Sequence, residues 1–156
     1  VNPGSQVIKT AISAAELAEV LIDAGFRAEV VREEKHPRVR SSVQGLAFSI
    51  TFMSEPDGRQ RYSDFSFHCP LRIRGEFPNA LIETWNRTKR FARLVRNEHF
   101  LYITMDVMVA GGVTLGYLRS LCELWDQLIR EVFMHLQQLA KDGSRVESPS
   151  DAAERH

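Results

Sequence analysis

Residues 85–112 read WNRTKRFARLVRNEHFLYITMDVMVAGG, and the fold turns on where the hydrophobic period changes inside them. Leu81, Ile82 and Trp85 share one side of a helix that Pro78 suits as a first turn and that runs to about Lys89. The pattern then alternates. Phe91 to Arg96 and His99 to Val109 predict two strands joined at Asn97-Glu98, the two-residue connection that tight antiparallel pairing prefers. Gly111-Gly112 breaks the second strand.

Upstream, Ser13-Ala14-Ala15-Glu16 has capping-box spacing, and Leu17, Val20, Leu21 and Ala24 fall on one helical face that Gly25 can end. Phe26 to Glu33 alternates as a first strand, while Glu33 to Ser42 is charged, contains Pro37 and reads as a connecting loop or a frayed edge strand. Leu46 to Met53 is a clearer strand, Pro56-Asp57-Gly58 a turn, and Phe65, Phe67 and Cys69 one face of a third strand that stops at Pro70 or soon after. From Thr114 to Leu139 apolar residues recur at helical spacing. The order is α-β-β-β-α-β-β-α. Hairpins and meanders imply a mostly antiparallel five-stranded sheet with flanking helices, in the α+β class, with residues 1–12 as a lead-in, 13–140 as the domain and 141–156 as a disordered tail.

A chain of 156 residues, 44% hydrophobic and 26% charged, can bury a core without disulfides or metal. Twenty basic and twenty acidic side chains cancel, so binding to nucleic acid or an anionic surface needs a local patch. Cys69 and Cys122 both fall inside apolar elements, which predicts buried free thiols and a reducing cytoplasm. No apolar run approaches the roughly 20 residues that span a bilayer.

Arg87, Lys89, Arg90, Arg93 and Arg96 crowd positive charge around Phe91. They read as a solvated surface that complements a helix end, as a site for an acidic or protein partner, or as a nucleic-acid patch. Trp85 is either core beneath its helix or a binding anchor. Asp106 interrupts an apolar strand and reads as a structural residue near the Gly111-Gly112 turn; an enzyme of unrecognised type would use it with His68 or His99 in a pocket. The histidines form no metal-ligand spacing, and no catalytic motif or cofactor signature is present. The last helix, at about 39 Å, outruns a strand of about 26 Å. Its Phe133, Leu136 and Leu139 would therefore need cover from the first helix, a second subunit or a client.

Glu16-Leu17, Gly25-Phe26, Trp85-Asn86, Arg90-Phe91-Ala92-Arg93, Met105-Asp106-Val107, Gly111-Gly112-Val113 and Trp125 occur in an order that resembles the YbjN family of bacterial sensory-transduction regulators. The resemblance covers roughly Ser13 to Leu139 and implies a fold similar to that of type III secretion chaperones. It also implies a regulatory role exerted by binding, homodimers, and no catalytic residues to transfer. On that basis the chain is expected to be a non-enzymatic cytoplasmic regulator or chaperone-like homodimer. Trp85, Arg87, Arg90, Arg93 and Arg96 are its candidate partner contacts, and Phe133, Leu136 and Leu139 its candidate dimer or client contacts.

Overall fold

The computed structural model describes residues 7–140 and 145–147. In chain order the elements are β1 (Ile8–Lys9), α1 (Ala14–Asp23), β2 (Ala28–Val31), β3 (Arg38–Val43), β4 (Leu46–Thr51), β5 (Asp64–Arg74), α2 (Asn79–Thr88), β6 (Arg93–Asn97), β7 (Phe100–Met108), β8 (Val113–Thr114), α3 (Leu115–Ala140) and β9 (Arg145–Glu147). Every strand pairing is antiparallel. The main sheet runs β2-β3-β4-β5-β7-β6, with β9 added to β5, and β1 pairs separately with β8.

Alternation decides which side of this sheet is dry. Leu46, Phe48 and Ile50 of β4, Phe65, Phe67, Cys69, Leu71 and Ile73 of β5, and Leu101, Ile103, Met105 and Val107 of β7 are all buried. Helix α3 lies against that inner face through Leu118, Cys122, Trp125, Ile129 and Val132, and α1 adds Leu17 and Leu21. Trp125 is the centre of the packing, 5.0 Å from the Phe67 ring and 5.7 Å from that of Phe48. Burying side chains of this size contributes about 1.5–3 kcal/mol each, which holds a 26-residue helix whose other face is polar. Ser13 caps α1 by accepting from the Glu16 amide at 3.1 Å, while the Glu16 carboxylate accepts from the Ser13 amide at 3.2 Å. The capping box is formed.

The α+β class and antiparallel sheet agree with the sequence reading, but the sheet is wider than five strands. Within the stretch read as a loop or a frayed edge strand, residues 38–42 join Val43 in β3, a strand that is not at the edge but has neighbours on both sides, with Val39 and Val43 buried. Pro37 sits just outside it, so its missing donor costs the ladder nothing. The turn to β4 places Gln44 and Gly45 at φ 52° and 78°, the paired positive values of a tight hairpin.

Strand β5 also continues through Pro70 to Arg74. The Ile73 amide donates to the His99 carbonyl, so the backbone groups of Pro70, three residues away, face the other edge of β5. There the β4 pairing has ended at His68 and the β9 pairing begins only at Arg72, so no ladder bond is lost. The β6–β7 connection is Glu98-His99, one residue later than read, with Glu98 at φ 54°.

Inside the lead-in, Ile8–Lys9 pair with Val113–Thr114. A Cβ on Gly112 would stand 2.8 Å from Ile8 Cγ2, and φ there is 106°, so that glycine answers both a conformational and a steric need. Of the expected disordered tail, residues 145–147 form β9 and the rest lies outside the described residues.

Candidate functional site

Among the described residues, no helix covers the outer side of the main sheet. The residues that face outward are those of opposite parity to the core: Ser66, His68, Pro70 and Arg72 of β5, Phe100, Tyr102, Thr104, Asp106 and Met108 of β7, and Arg93 and Val95 of β6. They separate into bands. Register places Pro70, Val95, Phe100 and Tyr102 next to one another, and the Phe100 and Tyr102 rings are 6.1 Å apart. Val95 is exposed, and Phe100 and Tyr102 are half-buried.

Beside this apolar band runs a polar one. Ser66 donates to Asp106 Oδ1 at 2.6 Å across a non-hydrogen-bonded residue pair of the β5–β7 ladder, the geometry in which opposed side chains come closest. Arg93 reaches Asp106 Oδ2 at 3.1 Å and donates through Nε to Thr104 Oγ1 at 3.0 Å. Both charged partners are largely exposed, so this ion pair contributes little stability and chiefly fixes side-chain direction. Burial holds the neighbouring His68 imidazole below its ordinary 6.5; the Asp106 carboxylate opposes that shift and the Arg93 guanidinium adds to it. Asp106 is thus bound to Ser66 and Arg93 and makes no bond to the Gly111-Gly112 turn.

The five basic residues do not form one patch. Arg93 is tied to Asp106 and Thr104, and Arg96 donates to the Phe77 carbonyl at 3.0 Å and to Asn79 Oδ1 at 3.1 Å. Lys89 stands 5.9 Å from the centre of the Trp85 ring and Arg90 4.9 Å from that of Phe91. Arg87 and Arg90 are exposed.

Of the two readings of Trp85, core or binding anchor, the structure places the side chain in the core. It is fully buried, and its Nε1 donates to the Ala92 carbonyl at 3.0 Å. Asn86 beside it donates to the Leu94 carbonyl at 3.0 Å and accepts from the Leu94 amide at 2.8 Å. The two residues together fasten α2 along the outer edge of β6.

The overhang of α3 is likewise covered from within. Leu136 is buried and Phe133 half-buried within the single chain, and the Trp85 ring of α2 lies 5.6 Å from that of His135 on the same stretch of α3. The side chain of Leu139 lies outside the described residues.

The described surface carries open clefts, among them three of several hundred Å³. One of about 680 Å³ is bounded by residues of β2, β3 and β4 and by Pro70; one of about 400 Å³ lies between Phe91, the end of β7 and α3; one of about 500 Å³ surrounds His36 and Pro37. None brings two of Asp106, His68 and His99 together. No group of three or more potential metal ligands is assembled among the described residues. Cys69 and Cys122 are free, and burial pushes each thiol up to about 12, with Glu123 adding to the effect at Cys122.

The apolar outer band was missed in the sequence. Its signal was present, since Phe100 and Tyr102 occupy the parity of Thr104 and Asp106, where a solvated face would be polar throughout. Among the described residues no helix is long and apolar enough to cross a membrane.

No curated protein and no solved structure matches the chain. A family model does: YbjN, described as "Putative bacterial sensory transduction regulator", matches residues 13–138. That span runs from the cap of α1 to near the end of α3 and contains the six strands β2 to β7 of the main sheet. The residues behind the sequence resemblance bond to one another within it, Trp85 to Ala92 and Asp106 to Arg93. The chain belongs to the YbjN family.

Proposed function

We propose that the protein is a non-enzymatic, cytoplasmic regulator or chaperone-like protein that acts by binding other proteins, and that it does so as a homodimer. The observation that carries this reading is the outer sheet face, where Pro70, Val95, Phe100 and Tyr102 form an apolar band that no helix covers. A second copy would bury this band against its own equivalent in a two-fold contact, the commonest arrangement of small homo-oligomers. Polar groups beside it, Ser66, Thr104, Asp106 and Arg93, satisfy one another on a flat surface, which suits the rim of an interface. The free thiols suit a reducing compartment.

Light scattering on the purified chain tests the assembly: the reading requires a dimer, and a strict monomer at tens of micromolar sinks it. Crosslinked capture tests the binding role. Val95→Glu is to lose proteins that the folded wild type retains. Capture that is indifferent to the outer face removes this surface from the account.

A further inference from the structure

We propose that the edge of β7 at Asp106–Met108, with the apolar cleft beside it, is a docking site for an extended, acidic segment of a partner protein, taken by strand addition. The proposal rests on the protein-binding reading above and assigns it a second surface, distinct from the outer sheet face.

Strand β6 stops pairing with β7 at Arg93 and Thr104, whereas β5 follows β7 as far as Met108. The chain that would have continued β6 is turned away at Phe91, whose φ is 72° and after which the Ala92 amide folds back to the Arg90 carbonyl. Met105 to Met108 are therefore strand residues with a strand on one side only.

Parity identifies the free groups. Ile73 donates to the His99 carbonyl and Val109 to the Ser63 carbonyl, so the odd-numbered residues of β7 face β5. The amides and carbonyls of Asp106 and Met108 face the vacant side. They have no backbone or side-chain partner among the described residues. The neighbouring edge is treated differently, since Asn86 takes both backbone groups of Leu94 and Trp85 takes the Ala92 carbonyl. An unfilled row of donors and acceptors is a template for an added strand.

Next to that row lies the cleft of about 400 Å³, lined by Phe91, Met105, Val107, Tyr117, Leu121 and Leu124. Side chains of an added strand alternate, so every second one would enter the cleft against α3 while the others face outward.

Charge selects the segment. Arg87, Lys89 and Arg90 have no carboxylate partner among the described residues, and Arg90 stands over Phe91 at the lip of the cleft. Asp106, the only acidic lining residue, is already paired with Arg93. Alternating apolar and acidic residues would fill the cleft and meet the cations. A nucleic acid would use the cations but leave the unfilled amides and carbonyls and the apolar lining unmatched.

Fluorescence anisotropy with the full chain tests the site, using as probe a short labelled peptide with blocked ends in which glutamate alternates with leucine or valine. The control peptide carries lysine for glutamate. The chain is to bind the glutamate peptide and not the lysine one. Met108→Pro removes one outward amide without touching a bond to β5, and is to weaken binding about tenfold. Arg87→Glu with Arg90→Glu is to weaken it by a similar factor, and added salt is to weaken the wild type. Circular dichroism checks that each variant is folded; if Met108→Pro is not, Tyr117→Glu at the exposed lip of the cleft takes its place with the same expected loss.

No binding of the glutamate peptide, equal binding of both peptides, or unchanged affinity in the folded variants overturns the site. So does tighter binding of single-stranded oligothymidine, or a dimer that Met108→Pro dissociates, which would make the edge a contact between copies. A dimer that persists without peptide binding removes this site alone, and peptide binding by a monomer removes the homodimer alone.

Discussion

Trp85 carries two connections at once, a ring buried against the last helix and a donor on the Ala92 carbonyl. Trp85→Ala is therefore expected to cost about 3–5 kcal/mol in chemical denaturation, the range for emptying a large aromatic site. A cost under about 1 kcal/mol would mean that the ring is not where it stands here. His68 gives a second test at this scale. Its folded value lies below the ordinary 6.5, chiefly through burial, so the unfolded chain binds more protons as pH falls past 6.5. Stability is fully present above that pH and declines below it. His68→Gln is expected to flatten this part of a thermal-midpoint profile, and a profile identical to wild type would contradict the burial.

Asn86 works between elements, holding both backbone groups of Leu94 and closing part of the outer edge of β6 with a side chain from α2. Asn86→Ala leaves those groups without partners and is expected to cost about 1–3 kcal/mol. Hydrogen exchange should locate the effect, with faster exchange at the Leu94 amide and little change at Leu46 to Thr51; uniform acceleration would point to a global loss instead.

The elements themselves were largely legible. The capping box of α1, the helix–hairpin handover and the apolar stripe of α3 are local patterns, and local patterns survive translation into structure. Strand β3 was legible only as one of two readings, a loop or a frayed edge strand, because Arg38, Arg40 and Ser42 on its outer face hide Val39 and Val43, and Pro37 argues against a strand it only borders. Pro70 misled for a related reason: proline ends a strand only where the ladder needs its amide, and the gap between β4 and β9 is a tertiary fact. Trp85 and Leu136 were ambiguous in the sequence, since a residue on an apolar helix face reads the same whether its cover is intramolecular or a partner. Packing against His135 decides it for Trp85.

At the scale of the molecule, the helices of the described residues pack on one side of an antiparallel sheet and leave the other side without a helical cover. Outward alternation would ordinarily make that side polar throughout, and here it carries Pro70, Val95, Phe100 and Tyr102 beside a self-satisfied polar band. The proposed homodimer covers this face with a second copy. Multi-angle light scattering at tens of micromolar protein tests it most directly, comparing wild type with Val95→Glu combined with Tyr102→Ser. A dimer through this face gives twice the 17.8 kDa of one chain for the wild type and 17.8 kDa for the folded double variant. A wild type at 17.8 kDa, or a variant that stays dimeric, would contradict it.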